Sequence, residues 1–345
     1  MRKIVKQVVG IDVAQEELVI CLARMYDDLT PDLYAHKTFG NNSKGFAALV
    51  QWVGKLSDAD ASVRYVMEAT GVYHESLAYW LDEQEKEVSI VLPNKISNYA
   101  RTLDVKTITD KTASEAIARF GLERKLDQWS RPKGIFRKLK QLTRERSQLV
   151  EMKTMCKNQL HAEQTEAVPN KKSIARVKKR INVLEKQEQE IATELRELIK
   201  TDTEIQQLVI LLCSIPGIGL LTAVTVLGET NGFDLIRNKR QLTSYAGLDV
   251  REKQSGTSVK GKPRISKKGN KHLRKAMHLP ALAAIRHDER YKAIFARLVS
   301  RHGIKMKAAV AVQRKLLELI YTLYKTNKPY EKDYFKKLES SNATP

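Results

Sequence analysis

Residues 4–12 read Ile-Val-Lys-Gln-Val-Val-Gly-Ile-Asp, a mainly apolar run that ends in an acid. Apolar residues at both odd and even positions are typical of a strand that is covered on both faces of a sheet. In open α/β folds, functional sites usually lie at the edge where such strands end. We therefore expect a central strand that places Asp12 at a sheet edge. For an isolated Asp, a solvated turn residue is the simpler interpretation. Whether Asp12 belongs to a functional site therefore depends on where the other acids of the chain lie.

The pattern continues as strands and helices through the first third of the chain. Three strands are expected within residues 1–40, and two further short β-rich runs follow at 62–67 and 88–92. Helical patterns separate and follow these runs, with Asn42 or Ser43 as the candidate N-cap of the first helix and Thr109 as that of the last. Three antiparallel strands followed by helix, strand, helix, strand and helix is the order of a ribonuclease-H-like domain. The sequence predicts an α/β fold for this region.

Three acids stand at the ends of these predicted elements. Asp12 follows the first strand, Glu68 follows the fourth strand, and Asp110 begins the next helix after Thr109. Clustered carboxylates repel one another unless a cation neutralises them, and hard divalent cations prefer such oxygen ligands. Two such ions can activate a nucleophile and stabilise the leaving oxygen on a phosphate. The pattern predicts a metal site, with Mg²⁺ or Mn²⁺ as the expected ion.

A long helical hairpin is predicted after a linker at residues 122–132. The turn is marked by Pro169 and Asn170, and the second arm carries residues at heptad spacing. These are Ile174, Val177, Ile181, Leu184, the polar Glu188, Ile191, Leu195 and Leu198. Such a seam favours a protruding coiled coil, with two ordinary amphipathic helices as the alternative. The predicted domains are an α/β domain at 1–127, a coiled-coil spacer at 128–204 and a mostly helical domain at 205–345.

The charge of the chain is unevenly distributed. Residues 1–121 contain 14 Lys and Arg against 17 Asp and Glu, a net charge of −3. The rest of the chain contains 47 against 23, a net charge of +24. An acidic site joined to a strongly basic remainder favours a protein that binds nucleic acid. The alternative is a basic protein whose charge serves only its solubility.

The cysteines and the apolar runs exclude several other classes. Cys21, Cys156 and Cys213 are scattered, so the sequence predicts neither a structural zinc site nor a disulfide framework. No apolar run reaches the ~18 residues that a membrane span needs, and no signal peptide is evident. We expect a cytoplasmic protein with no membrane partner.

Two stretches of the basic remainder predict phosphate contacts. Residues 214–219, Ser-Ile-Pro-Gly-Ile-Gly, match the turn of a helix-hairpin-helix element, in which Gly217 and Gly219 let the backbone approach a phosphate. Residues 254–270 form a loop rich in Gly, Ser and Lys, where Ser255 is an exposed hydroxyl among cations. The alternative is an ordinary phosphate-binding loop in which the serines only donate hydrogen bonds. The basic residues predicted to bind nucleic acid here are Arg251, Lys253, Lys260, Lys262, Arg264, Lys267, Lys268, Lys271 and Arg274.

Six ordered blocks carry a resemblance that covers nearly the whole chain. They are GIDVAQEEL, MEATGVYHESL, TDKTASEAIA, SIPGIG, YAGL and QSGTSVKGKPRISKKGNKHLRKAM, and together they resemble the insertion-sequence 110 family of transposases. The resemblance implies a RuvC-like domain with four acids, a coiled-coil spacer and a C-terminal transposase domain with a catalytic serine. It also implies a bridge RNA that guides the enzyme to donor and target DNA, and assembly into dimers and tetramers. Asp12, Glu68 and Asp110 match the first three acids, and Ser255 matches the serine that becomes joined to DNA.

The fourth acid of the family pattern is missing. The family reads T-D-x-x-D, whereas here Thr109, Asp110, Lys111 and Thr112 are followed by Ala113. Positions 110 and 113 share a helix face, so the gap lies in the expected metal site. The otherwise intact motif favours an engineered substitution over a natural defect. We expect this chain to bind its partners better than it cuts DNA.

The function predicted from the sequence is an RNA-guided, Mg²⁺-dependent DNA recombinase of a bacterial insertion sequence, associated with the nucleoid. Ser255 would be its nucleophile. The alternatives are a nuclease of the Holliday-junction type that uses water, and a non-catalytic RNA- and DNA-binding protein. An actin-like ATPase is disfavoured, because Val13-Ala14-Gln15 lacks the glycine that such phosphate turns need.

Overall fold

The structure is a computed structural model that divides into two compact units, Met1–Arg131 and Pro132–Pro345. The residues that it describes are 2–69, 71–103, 107, 109–234, 236–252, 254–255, 259–261 and 264–331. At 254–255 and 259–260 the description covers the backbone alone.

The first unit contains a mixed five-stranded sheet. Its strands are β1 Ile4–Val13, β2 Glu17–Tyr26, β3 Pro31–Gly40, β4 Val63–Glu68 and β5 Glu87–Val91. They lie in the order β3-β2-β1-β4-β5, with β1, β2 and β3 antiparallel and β4 and β5 parallel to β1. Val8, Val9 and Ile11 are fully buried, as expected of a central strand covered on both faces. The predicted α/β class and the central position of the first strand are confirmed.

Four helices cover this sheet. They are α1 Ser43–Leu56, α2 Glu75–Glu83, α3 Pro93–Ala100 and α4 Asp110–Glu123. Asn42 is the N-cap of α1, and Thr109 caps α4 in a reciprocal capping box with Thr112. Helix α3 is absent from the sequence prediction, in which Pro93 only ends a strand. Proline also suits the first position of a helix, where its missing N–H costs nothing.

Alternate residues of the central strand face different helices. Val9 and Ile11 belong to a core with α1 and α2, whereas Val8 belongs to a second core with α4. Gly10, on the α4 side, lies so close to the helix that an added Cβ would overlap the carbonyl oxygen of Ser114 and the amide nitrogen of Ala118. Glycine at this position therefore sets how closely α4 packs on the sheet.

Gly10→Ala is expected to lower the free energy of unfolding by about 1–3 kcal/mol or more, because the overlapping atoms belong to the α4 backbone and cannot rotate away. The matched control is Gly54→Ala in α1, where an added Cβ meets nothing within 4 Å. That change is expected to be neutral or to stabilise by up to about 1 kcal/mol. Denaturant unfolding of both variants measures the difference. Equal stability of the two variants would contradict the close approach of α4 to Gly10.

The second unit is mostly helical. Its elements are α5 Gly134–Thr165, α6 Lys171–Lys200, α7 Thr203–Cys213, α8 Leu220–Glu229, α9 Lys239–Tyr245, β6 Val250–Arg251, β7 Gln254–Ser255, β8 Val259–Lys260, β9 Arg264–Ile265, α10 Lys271–Ala276, α11 His278–His287, α12 Glu289–His302 and α13 Lys305–Thr326. The short strands form two antiparallel pairs, β6 with β9 and β7 with β8. No helix within the described residues is long and apolar enough to cross a membrane.

Helices α5 and α6 form the predicted hairpin. Its buried positions on α6 are Val177, Ile181, Leu184, Ile191, Leu195 and Ile199. Glu188 interrupts this stripe and accepts hydrogen bonds from Arg146 and Lys153 of α5, which explains a carboxylate at a seam position. The base of the hairpin shares one hydrophobic core with the C-terminal helices. The coiled coil and the domain boundaries at 127 and 204 stay predictions.

Candidate active site

Two of the predicted acids lie side by side at the end of the central strands. Strands β1 and β4 are parallel, and their last observed pair is Ile11 with Met67. One residue further along, Asp12 and Glu68 follow on neighbouring strands, which lie about 4.8 Å apart. Both are half-buried, and the alternation of the two strands places them on the face that α4 covers. The parallel register therefore brings these two carboxylates together.

Helix α4 places the third acid at the same edge. An added Cβ on Gly121, near the end of α4, would lie 2.7 Å from Val8, whereas Ser114, near its start, lies over Gly10. The helix therefore runs opposite to β1, and its first residue, Asp110, points back toward the end of the strand. A carboxylate at this position is also stabilised by the helix dipole.

The pKa of Asp12 is consistent with three acids that lie close together. Its pKa is raised to about 6, first because the carboxyl is partly buried, and then because the charges of Asp110 and Glu68 oppose its ionisation. A hydrogen bond from the backbone of Val13 acts in the opposite direction. Like charges this close are costly without a cation, so the edge of the sheet is an electronegative site that favours positive ligands.

The donor set of this site suits a hard divalent cation. Carboxylate oxygens are the ligands that Mg²⁺ and Mn²⁺ prefer. The three residues that would hold such an ion are Asp12, Glu68 and Asp110. In the part of the chain that the structure describes, no three His, Cys, Asp or Glu side chains form a group that could hold a metal ion. The three acids thus lie near one another without a completed set of ligands.

Ala113 stands where the family resemblance implies a fourth acid. It is the fourth residue of α4, is half-buried, and its N–H donates to the carbonyl oxygen of Thr109 at 2.8 Å. It lies three residues after Asp110 and therefore on the same side of the helix. Only a methyl group is present at a place from which a carboxylate could extend toward the other acids.

The predicted nucleophile lies in the second unit. Ser255 ends β7, and its backbone is paired with Val259 of β8. The serine is therefore held at the end of a short two-stranded ribbon. Of the predicted basic residues, Lys253 and Lys262 lie outside the described residues, and at Lys260 only the backbone is described.

The neighbouring ribbon of β6 and β9 carries a concentrated positive charge. Arg251 and Arg264 are directly opposite each other, and both are exposed. Like charges at paired positions destabilise a ribbon, so this arrangement favours a polyanion as its ligand. Lys267, Lys268 and Lys271 follow and are exposed as well. These residues remain candidates for phosphate contacts.

Two predicted nucleic-acid residues have structural roles within the chain. Arg274 donates to the carbonyl oxygen of Ala246 at 2.8 Å. Gly217 has a positive φ of 87°, and an added Cβ there would lie 2.6 Å from the carbonyl oxygen of Pro280 in α11. The close approach at this glycine is thus to the protein's own backbone. Gly219 is the N-cap of α8, an added Cβ there would meet no atom within 4 Å, and the residue stays a candidate for a phosphate contact.

A buried ion pair in the second unit is absent from the sequence prediction. The side chain of Glu229 is fully buried, and Arg144 donates to its two oxygens at 2.7 and 2.9 Å. Asn270 donates to the same carboxylate at 2.6 Å. The partners are 85 and 41 residues away along the chain, so no local motif indicates them. The sequence signal for this ion pair is Glu229 itself, because an acid at the end of an otherwise apolar helix is buried only with a partner for its charge.

Arg144→Met is expected to lower the free energy of unfolding at neutral pH by about 3 kcal/mol, because it leaves the buried Glu229 carboxylate without its cation. The double variant Arg144→Met/Glu229→Gln should lose less of the free energy of unfolding than the single variant. Lys138→Met changes an exposed residue of the same helix and is the control, for which the free energy of unfolding should hardly change. Denaturant unfolding measures all three variants. A double variant no more stable than the single one would contradict the ionic role of the pair.

The pH dependence of the same pair has a defined sign. Burial would raise the pKa of Glu229, but the hydrogen bonds from Arg144 and Asn270 outweigh it and lower that pKa below 4.5. An acid whose pKa is lower in the folded than in the unfolded protein stabilises the fold when the pH is above its pKa in the unfolded chain. This stabilisation is lost as the pH falls through its pKa in the folded protein. The stability difference between the parent and Glu229→Gln should therefore shrink as the pH falls below 4.5.

Two family models match much of the chain, on both sides of the boundary between the two units. A family model described as Transposase, of the DEDD IS110 type, matches residues 9–169. A second model, described as Transposase IS116/IS110/IS902 family, matches residues 210–296. The first match contains the three acids, and the second contains Ser255 and all nine basic residues that are predicted to bind nucleic acid.

Relatives align over much of the chain. The Pilin gene-inverting protein of Moraxella lacunata is 29% identical over 336 residues, which cover 95% of this chain and 98% of that protein. The transposase for insertion sequence element IS1111A of Coxiella burnetii is 31% identical over 40% of this chain and 37% of its own length. A solved structure of T. thermophilus RuvC in complex with a Holliday junction substrate aligns with 36% of this chain and 99% of its own, at 10% identity and a TM-score of 0.28. With matches to transposase models in both units, the chain belongs to the IS110 family of transposases.

Proposed function

We propose that this transposase is an RNA-guided DNA recombinase that uses a divalent metal and a covalent serine–DNA intermediate. The observation that carries the proposal is the convergence of Asp12, Glu68 and Asp110 at one edge of the sheet. Burial and the charges of Asp110 and Glu68 raise the pKa of Asp12, a costly arrangement that a metal-dependent phosphoryl-transfer site would use.

The acids of the first unit would act on the scissile phosphate. A bound Mg²⁺ would supply Lewis acidity at the phosphate oxygens and neutralise the charge that develops there. Asp12 and Glu68, fixed on adjacent strands, would set the position of the phosphate relative to the nucleophile. Asp110, at the start of α4, is exposed and would face the incoming DNA. The role of the chain is therefore mainly to orient the phosphate.

The serine of the second unit would be the nucleophile. The Ser255 Oγ would form a bond to phosphorus, and the bond from that phosphorus to one deoxyribose oxygen would break. The proton of the serine hydroxyl would end on the leaving oxygen, which becomes a free hydroxyl. Because the phosphodiester is exchanged for a phosphoserine ester, its bond energy is kept for rejoining to a second strand. The exposed cations Arg251 and Arg264 would stabilise the charge of the reacting phosphate.

The partners of the enzyme follow from the charge and the relatives. The strongly basic second unit suits a structured bridge RNA together with donor and target DNA. The Moraxella relative is named for inverting a pilin gene, and inversion requires strands to be rejoined as well as cut. Assembly into dimers and tetramers would let one protomer's acids meet another's serine.

Two measurements test this function. RNA that copurifies with the protein is sequenced, and DNA matched to that RNA is incubated with the Ala113→Asp variant in Mg²⁺. We expect one structured RNA species and a protein–DNA adduct that survives denaturation. Cleavage without any adduct would contradict the covalent serine intermediate and would indicate a nuclease of the Holliday-junction type that uses water. Absence of both RNA and cleavage would overturn the proposal altogether.

A further inference from the structure

A cavity of about 610 Å³ lies within the second unit, bordered mainly by α5, α8, α10 and α11. We call it the α5–α8–α10 cavity. Its cationic side chains are Arg144, Arg146, Lys271, Arg274 and Lys275, and its one acidic side chain is Glu229, which is paired with Arg144. None of the sequence motifs points to this cavity as a whole, because its walls come from segments that are more than 100 residues apart.

Several of the cations around the cavity are held in place by other groups. Arg144 is fixed by the carboxylate of Glu229, with contacts of 2.7 and 2.9 Å. Lys275 donates to Glu151 at 2.7 Å and to Ser147 at 3.0 Å. A cation that is already oriented loses little entropy when it binds an anion, so this wall is preorganised for a negatively charged ligand.

Much of the remaining lining of the cavity is apolar. Its apolar wall consists of aliphatic side chains and a proline from four helices, namely Val150, Leu221, Leu279, Pro280 and Val310, and several Ser, Thr, His and Gln side chains complete the lining. A simple phosphate site has no use for such a surface. A ligand that matches both walls has a flat apolar part and an anionic part within a few ångströms of each other.

The lining also contains a histidine. Partial burial, and then the positive charge of Arg144, lower the pKa of this residue, His272. At neutral pH the ring is therefore mainly uncharged. A neutral imidazole can stack on a planar ring or hydrogen-bond to its edge without adding to the charge.

We propose that the α5–α8–α10 cavity binds one unpaired nucleotide of a nucleic-acid strand, with the base on the apolar wall and the phosphate at the cations. A base inside a duplex is covered by its neighbours and cannot enter a concave cavity, so the site selects a nucleotide that is out of the stack. This proposal rests on the proposed function, and it adds a site that recognises an unpaired position and is separate from the acids and from Ser255.

The test uses the full chain and short oligonucleotides that carry one 2-aminopurine, whose fluorescence reports stacking. The probes are a single-stranded DNA, an RNA of the same sequence, and the matching duplexes. Adenosine 5′-monophosphate is added as a competitor to separate a free nucleotide from one in a strand. We expect a fluorescence change on the single strands and none on the duplexes. The comparison of DNA with RNA identifies which strand supplies the nucleotide.

Three variants locate the binding to the cavity. Ala276→Trp fills it, and Leu279→Glu places an acid at its edge on a side chain that is 74% exposed. Leu282→Glu introduces the same charge one turn further along α11, outside the lining, and is the matched control. The first two should weaken binding of the single strand by about tenfold or more, the scale of one stacked base. The control should change it much less.

Each outcome has a defined meaning. Because Leu279 is largely exposed, its variant should fold normally, and thermal melts of both cavity variants test whether they are folded. If folded Leu279→Glu and Ala276→Trp bind the single strand as tightly as the parent does, the cavity inference is wrong while the proposed function stands. If the parent chain binds no nucleic acid, both proposals are wrong.

Discussion

Ala113→Asp is expected to raise the rate of DNA strand cleavage in Mg²⁺ by orders of magnitude, at least about a hundredfold. The added carboxylate would lie on the same side of α4 as Asp110 and near Asp12, whose pKa already reports two acidic neighbours. A fourth acid would complete the proposed set of oxygen ligands and would fix the position of the phosphate. The measurement is cleavage of guide-matched DNA by the parent and by the variant.

The same substitution should have only a small effect on folding. A fourth like charge adds repulsion, so the free energy of unfolding without metal should fall by at most about 1–2 kcal/mol, and Mg²⁺ should restore it. Ala47→Asp is the matched control, because Ala47 is exposed on α1, which packs on the other face of the sheet. Thermal melts with and without Mg²⁺ measure both. Equal cleavage by the parent and by Ala113→Asp would exclude position 113 from the acidic site.

Local signals explain why much of the first unit could be predicted from the sequence. The apolar run at the start of the chain is buried on both sides, and Thr109 has the side chain and the spacing of an N-cap. The parallel strands then determine where Asp12 and Glu68 meet, because strand ends are shared along a sheet edge. These features depend on residues that are near in sequence or on general rules of sheet geometry.

Features that depend on distant contacts could not be predicted. The Pro-Gly-Ile-Gly turn matched a phosphate-binding pattern, yet Gly217 approaches the carbonyl of Pro280, more than 60 residues away. Arg274, a predicted phosphate contact, also donates to the carbonyl oxygen of Ala246, 28 residues away. Glycine and arginine suit both uses, and the sequence pattern alone does not show these contacts within the chain.

The chemistry of the serine is the second prediction with a very large expected effect. In the Ala113→Asp background, Ser255→Ala should abolish the protein–DNA adduct, a loss of at least about a thousandfold, because no other group replaces the attacking oxygen. The backbone of residue 255 pairs with Val259, and alanine keeps that pairing. The change also removes no charge, so RNA binding should stay near that of the parent.

The adduct is measured on denaturing gels with guide-matched DNA, and RNA binding is measured on the same preparations. Ser258→Ala, three residues further along and outside the described residues, is the matched control and should keep the adduct. Loss of adduct together with loss of RNA binding would indicate a disrupted loop rather than a missing nucleophile. An adduct that persists in Ser255→Ala but disappears in Ser258→Ala would move the nucleophile to the second serine, because both hydroxyls lie within the same basic loop. The acids would then keep their proposed role, since phosphate positioning at Asp12 and Glu68 does not depend on which serine attacks.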